Sequence, residues 1–188
     1  MVPTAAPASS PERSVGLSNL GFLTVLHEAS GYLGGYLVTN VWGRPLEFRL
    51  SSAVQPNRVQ HILYAATLEP YICADLIGKT LVDKAAVPVQ LIVTDHEPVL
   101  DLRLKLECPV LWLAPVADSR NESAGHRETL VSPAESGRGP LLCHPRFASD
   151  VPLARELLTR LDGAFDLAEP FLRIREAIGE ARKLGVHK

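Results

Sequence analysis

Two pairs of residues, His27-Glu28 and Asp95-His96, carry the side chains best suited to chemistry, and each pair follows a short apolar run. Imidazole and carboxylate groups at strand ends can ligate a metal or act as general acid and base. The same residue types are typical of chain turns in solvent. Because no ligand spacing such as HExxH is present, we expect no metal and no cofactor.

The adjacent residues Cys143 and His144 come nearest to a reactive thiol pair. Adjacent residues of a strand point to opposite faces, so these two side chains cannot easily hydrogen-bond to each other. A thiol nucleophile would need a histidine from elsewhere in the fold, such as His27 or His61. The three cysteines of the chain are too widely spaced for a disulfide framework or a CxxC metal site, and each is expected to be a buried thiol.

Three glycines of the stretch GYLGGYLVTN, which begins at Gly31, could cradle a phosphate or let a strand bend. A dinucleotide fingerprint requires GxGxxG between a strand and a helix, whereas this GxxGG pattern runs directly into a strand. We therefore interpret the glycines as a bulge or as a place where another backbone comes close. Tyr32 and Tyr36 would then flank a groove, or simply lie on a half-buried sheet.

Trp42 and Arg44 lie in a predicted turn and are further candidates for a binding role. Aromatic and arginine side chains together are typical of single-stranded nucleic-acid binding. Glu47 dilutes this patch, and the net charge of -2 with a pI of about 6.3 provides no general attraction for nucleic acid or anionic lipid. We expect no nucleic-acid partner and no membrane contact.

Hydrophobic periodicity predicts the elements that must position these residues. Strands are expected at residues 20–26, 36–40, 46–50, 87–94, 99–104 and 109–114. The turn from Trp42 to Pro45 joins the second and third strands into a hairpin in which Gly43 takes a positive φ. Helices are expected at about 56–69, 71–83 and near the C-terminal end.

The last predicted helix carries a narrow apolar seam that recurs every three or four residues. We expect this seam to dock on the sheet, with a homodimer as the alternative. Its members are Leu167, Phe171, Ile174, Ile178 and Ala181.

Composition divides the chain into four parts. Residues 1–16 are rich in Pro, Ala and Ser and predict a disordered leader. Residues 17–117 are expected to form an α+β domain, and the polar stretch 118–140 a mobile loop or linker. Residues 141–188 are expected to form a C-terminal helical element packed on the domain. No apolar run is long enough to span a membrane and the start lacks a signal peptide, so we expect a cytoplasmic protein.

These elements predict an α+β fold with a largely antiparallel sheet, a central helical segment and a C-terminal helical hairpin, or alternatively an α/β fold with a mixed sheet. Their order alone resembles that of roadblock or profilin-like scaffold domains. Because no convincing catalytic constellation is present, we expect a non-catalytic interaction or regulatory module with a protein partner or a homodimer. The alternative is a small hydrolase or transferase, metal-assisted or not, that uses His27, Glu28, Asp95 and His96.

Overall fold

A seven-stranded mixed sheet lies at the centre of the computed structural model, which describes residues 18–115, 129–132, 139–161 and 165–185. The strands lie side by side in the order β3-β2-β1-β4-β5-β7-β6. Their bounds are β1 Asn19–Glu28, β2 Gly31–Asn40, β3 Pro45–Leu50, β4 Leu91–Thr94, β5 Val110–Leu113, β6 Leu130–Ser132 and β7 Leu141–Cys143. The predicted α+β class is confirmed, although the sheet is mixed rather than largely antiparallel.

Two directions of strand pairing meet at β1. On one side β1, β2 and β3 form an antiparallel meander, and on the other side β1 pairs in parallel with β4, which pairs in parallel with β5. The strands β7 and β6 complete the sheet in antiparallel pairing. Because both faces of β1 are covered, its sequence is a nearly continuous apolar run instead of an alternating one.

Helices cover both faces of the sheet. One face carries α1 (Arg58–Tyr64), α2 (Leu68–Pro70), a π-helical segment (Tyr71–Gly78), α3 (Lys79–Lys84) and a 3₁₀ segment (Glu97–Leu104). The other face carries α4 (Asp150–Leu158) and α5 (Glu169–Lys183), and short 3₁₀ turns lie at Ala65–Thr67 and Pro145–Phe147. No helix in the described ranges has both the length and the apolarity needed to cross a membrane.

The helical region between β3 and β4 begins where the sequence predicts it. Asn57 caps α1 through a reciprocal pair of hydrogen bonds with Gln60, each 2.9 Å long. The predicted break at Pro70 is wrong, because the chain remains helical through this residue. Pro70 lies in the first turn after the 3₁₀ segment, where a missing N–H costs little.

Residues 99–104 form a 3₁₀ segment, so the amphipathic strand predicted there is also wrong. This segment connects β4 to β5, and two parallel neighbours require a connection that crosses back over one face of the sheet. The apolar residues Val99, Leu100 and Leu102 are buried in this crossover instead of in a strand.

The glycines of β2 allow the two helical layers to approach the sheet. A Cβ atom at Gly34 would overlap Ile77 of the π-helical segment, and one at Gly35 would overlap Ile174 of α5. Adjacent strand residues point to opposite faces, so each glycine accommodates one layer. At Gly34 and Gly35 the close neighbours are side chains and not the backbone that the sequence predicts, so these two glycines have a packing role. Backbone does come close at Gly31, where an added Cβ atom would overlap the carbonyl oxygen of Val54.

The apolar seam of α5 docks on the sheet of the same chain. Leu167, Phe171, Ile174 and Ile178 are buried in one cluster with residues of β1 and β2. The ring of Phe171 meets that of Phe22 edge to face at a centroid distance of 5.7 Å. The intramolecular docking that the periodicity predicts is therefore present.

Parts of the predicted domain layout lie outside the described residues, namely the leader 1–16, most of the predicted linker 118–140 and the chain end 186–188. Within the predicted linker, Leu130–Ser132 form β6 and extend the sheet. The following strand β7 inserts between β5 and β6. The division into a domain, a linker and a helical element stays a prediction.

The hairpin tip provides a first test of the fold. Gly43 has a φ of 76°, as predicted, and a Cβ atom placed there would lie 2.5 Å from the ring of Phe165. We expect Gly43→Val to lower the free energy of unfolding by roughly 1 kcal/mol or more, because a β-branched residue resists this conformation. Gly179→Ala is the matched control, since Gly179 is an exposed helical glycine with open space around it. In denaturant unfolding, equal effects at both positions would contradict this explanation.

Glu47 joins β3 to the loop that precedes β4. Its carboxylate accepts hydrogen bonds from the backbone N–H groups of Ala86 and Val87, both 2.9 Å long, and from Arg49 at 2.7 Å. The bond from Val87, together with those from Arg49 and Ala86, holds the pKa of Glu47 below its ordinary value. The carboxylate therefore stabilises the fold at neutral pH.

We expect Glu47→Gln to lower the free energy of unfolding at pH 7 by about 1–3 kcal/mol. A lowered folded-state pKa contributes stability above the unfolded pKa, and this contribution disappears as the pH falls through the folded value. The difference between the wild type and the variant should therefore shrink in acid. Denaturant unfolding from pH 7 down to the acid range measures it, with Glu107→Gln as an exposed control. A difference that stays constant with pH would contradict the assignment.

Candidate functional site

The parallel strands β1 and β4 end at the same edge of the sheet, and three potential ligands converge there. A carboxylate oxygen of Glu69, the Sγ atom of Cys73 and a ring nitrogen of His96 all lie within 4.8 Å of one another. We call these three residues the strand-end cluster. The carboxyl ends of parallel strands are where open sheets of this kind commonly bind ligands.

Two regions of the chain supply the cluster, the helical region before β4 and the turn that follows β4. Glu69 lies in α2 and Cys73 in the π-helical segment, four residues apart and therefore on one side of the helical region. His96 follows β4, where its backbone N–H donates to Thr94 Oγ1 at 3.1 Å and fixes the turn. π-helical turns are rare and occur frequently at functional sites.

The side chains of the cluster differ in burial. The Cys73 residue is fully buried, whereas the side chains of Glu69 and His96 are 46% and 29% exposed. His96 Nε2 lies 3.3 Å from Glu69 Oε1, but this ring nitrogen is buried and makes no hydrogen bond to the described residues. The two atoms are therefore close neighbours without hydrogen-bond alignment.

Burial, with a smaller effect from the charge of Glu69, raises the pKa of the Cys73 thiol to about 12. At neutral pH the group is therefore a protonated thiol when no cation is near. This state disfavours Cys73 as a nucleophile, because the thiolate is the attacking form. It leaves the sulfur as a potential metal ligand, since coordination removes the proton.

Tyr32 lies beside the cluster. Burial raises the pKa of its phenol first, and the charges of Glu69 and Cys73 raise it further, so the phenol stays protonated at neutral pH. The ring of His27 stacks on that of Tyr32 at a centroid distance of 4.0 Å and an interplanar angle of 4°. His27 is exposed at the edge of the sheet.

The carboxylates Glu28 and Asp95 lie at the same edge but face α5. Glu28 pairs with Arg182, and Asp95 pairs with Arg175. The second oxygen of Asp95, Oδ1, is buried without a hydrogen-bond partner among the described residues. The predicted catalytic candidates therefore share one edge but not one pocket, because the sheet separates the two carboxylates from His96.

The predicted binding candidates do not line a single groove. Tyr36 is 1% exposed, and its ring lies where a side chain at Gly21 would be. Trp42 is 76% exposed at the hairpin tip, with Arg44 in the same turn, at the end of the sheet opposite the strand-end cluster. Of the four candidates, Tyr32 is the one beside the cluster.

Cys143 and His144 bond to different groups. The Cys143 thiol lies 3.5 Å from the carbonyl oxygen of Phe147, and His144 Nε2 lies 3.2 Å from Asp101 Oδ1. His144 Nδ1 accepts from the Arg146 N–H, which leaves the ring proton on Nε2 facing Asp101. The two adjacent side chains do not form a catalytic pair, as the strand geometry predicts.

The fold defined by this sheet and its two helical layers is similar to that of a solved endonuclease. The structure of Endonuclease V from Streptomyces avermitilis matches with a TM-score of 0.54 and 14% identity, over 91% of this chain and 84% of that one. At this identity the likeness shows the fold alone. No family of known sequences matches this chain, and no curated protein does.

Two further Endonuclease V structures align less closely. The protein from Ciona intestinalis, in complex with a 23mer DNA containing an inosine followed by a ribo-adenosine, has a TM-score of 0.44 and 10% identity, over 87% of this chain and 86% of that one. The protein from Bacillus subtilis has a TM-score of 0.35 and 11% identity, over 52% and 45% of the two chains.

This likeness corrects two expectations. The expected non-catalytic interaction or scaffold module is wrong, because the matching solved structure is that of an endonuclease. The expected absence of a nucleic-acid partner is overturned by the same match. Both expectations relied on the overall charge and on the absence of motifs, and neither of these determines which fold the chain adopts.

The ion pairs to α5 provide a test of how this edge is held together. The Asp95 side chain is 16% exposed and that of Glu28 is 41% exposed. We expect Arg175→Met to lower the free energy of unfolding by about 1–3 kcal/mol, because it leaves a largely buried carboxylate unpaired. The matched variant Arg182→Met should cost less than about 1 kcal/mol, since exposed pairs contribute little. Thermal unfolding that ranks the two variants in the opposite order would refute this difference.

Proposed function

We propose that this chain is a metal-assisted hydrolase that cleaves phosphodiester bonds in nucleic acid at the strand-end cluster. The observation that carries the proposal is the convergence of Glu69, Cys73 and His96 within 4.8 Å at the carboxyl edge of β1 and β4. The match to an endonuclease fold supports nucleic acid as the substrate class. The alternative expectation from the sequence is a small hydrolase or transferase that uses His27, Glu28, Asp95 and His96, and of these four residues the cluster contains His96.

The ligand set suits a hydrolytic centre. Glu69, Cys73 and His96 would hold the ion, which would supply an activated water and polarise a phosphoryl oxygen. Glu69 and His96 are partly exposed, so substrate can reach this side of the cluster. The buried Cys73 closes the opposite side.

The residues around the cluster have chemistry that suits a phosphodiester. The Tyr32 phenol, kept protonated by burial and by its acidic neighbours, can donate a hydrogen bond to a phosphate oxygen. The exposed imidazole of His27, held by its stack on Tyr32, can give a proton to the leaving oxygen. We assign Tyr32 to positioning the phosphate and His27 to general acid catalysis.

A net charge of -2 means that local groups must attract the substrate. Arg175, Arg182 and His27 lie at this edge, although both arginines are paired with carboxylates. We therefore expect nucleic acid to bind weakly and with a modest dependence on salt.

We also propose a cytoplasmic location, which agrees with the three cysteines being free thiols.

Cleavage assays with the 188-residue chain test the proposal. End-labelled single-stranded and duplex DNA and RNA are incubated with the protein and with Mg²⁺, Mn²⁺, Co²⁺ or Zn²⁺ in separate reactions. We expect cleavage of at least one substrate, and a loss on the order of 100-fold in rate for Glu69→Gln and for His96→Ala. His61→Ala, on the exposed α1, should keep the wild-type rate.

Circular dichroism establishes that each variant is folded before its rate is compared. Absence of cleavage by the folded wild type on every substrate and with every ion would overturn the proposal. Cleavage that survives both Glu69→Gln and His96→Ala would place any activity away from this cluster.

A further inference from the structure

We infer that the strand-end cluster binds a borderline-soft ion of the Zn²⁺ type in preference to Mg²⁺ or Ca²⁺. This inference deepens the proposed function, because it names the class of ion that the same site takes. It rests on the metal step of that proposal but not on cleavage. Binding can therefore be measured whether or not nucleic acid is a substrate.

The types of donor atom favour this class of ion. Mg²⁺ and Ca²⁺ take six or more oxygen ligands, whereas the cluster provides one carboxylate, one thiol and one imidazole. Sulfur and imidazole nitrogen are ligands that select Zn²⁺ and its transition-metal neighbours. A set of Cys, His and Glu matches the ligand types found in zinc sites.

The geometry allows a tetrahedral site with small movements. Zinc–ligand bonds of about 2.0–2.3 Å at tetrahedral angles place ligand atoms roughly 3.5 Å apart. The three atoms now lie within 4.8 Å of one another, and His96 Nε2 is already 3.3 Å from Glu69 Oε1. Cys73 is fixed in the core, while the two partly exposed side chains can rotate toward its sulfur.

A second observation points to a ligand at this place. The ring nitrogen His96 Nε2 is buried without a hydrogen bond to the described residues. A buried polar atom without a partner is unfavourable, and groups of this kind often mark a missing ion or water. An ion held by the cluster gives this nitrogen the partner that it lacks.

Cobalt provides a direct probe of the sulfur ligand. The metal-free 188-residue chain is titrated with Co²⁺. Coordination of Co²⁺ by a thiolate produces a ligand-to-metal charge-transfer absorption. We expect one equivalent of Co²⁺ to produce this absorption and one equivalent of Zn²⁺ to abolish it, while a large excess of Mg²⁺ leaves it unchanged. Competition with a chromogenic chelator then gives the affinity for Zn²⁺.

The variants assign the ligands. Cys73→Ser should remove the charge-transfer absorption and weaken Zn²⁺ binding on the order of 100-fold. Cys108→Ser is the matched control, because Cys108 is also a free thiol and lies outside the cluster. Should Cys73→Ser fail to fold, Glu69→Gln and His96→Ala, at partly exposed positions, must each weaken Zn²⁺ binding.

The outcomes separate this inference from the proposed function. Tight Zn²⁺ binding with a thiolate absorption but no cleavage would support the inference and overturn the nuclease proposal. Mg²⁺-dependent cleavage that survives Cys73→Ser would do the reverse. A titration without thiolate absorption, or equal Zn²⁺ affinity in the wild type and all cluster variants, would overturn the inference.

Discussion

Parallel pairing between β1 and β4 is the constraint on which the rest of this molecule depends. Leu20–Leu23 of β1 pair in parallel with Leu91–Thr94 of β4. The residues that follow the two strands therefore lie at the same edge of the sheet. Parallel neighbours also require connections that cross a face. The helical region before β4 and the 3₁₀ segment after it are these crossovers, and the first of them brings Glu69 and Cys73 to the edge where His96 emerges.

The sequence predicts much of the local structure and little of the site. The strand expected at 46–50, the turn at Gly43 and the seam of α5 are short-range patterns, and each element is present where the sequence predicts it. The apolar side chains Leu46 and Phe48 of this strand are nevertheless exposed. The direction of β4 relative to β1 is not encoded in any local period, which is why a largely antiparallel sheet was predicted. The same reason explains the strand expected at 99–104, since its alternation fits a buried crossover equally well.

Two of the three cluster residues escaped prediction because their signal is weak. Glu69 and Cys73 are separated by four residues in a helical stretch, a spacing that many surface helices share. Their partner His96 is 23 positions beyond Cys73 and was grouped with Asp95, which turns to the opposite face and binds Arg175. A histidine directly after a buried strand, combined with a Glu-x-x-x-Cys spacing upstream, is the pattern that could have found them.

The two adjacent glycines of β2 determine how closely the helical layers approach the two faces of the sheet. Gly34 and Gly35 are about 3.3 Å apart along the strand, and they carry the two helical layers on opposite sides. The layer over Gly34 holds Ile77, in the same π-helical segment as Cys73, whereas the layer over Gly35 is α5. A single methyl group at Gly34 would therefore lift the helix that holds the cluster's sulfur. The same methyl group at Gly35 would displace a helix that contributes none of the three ligands.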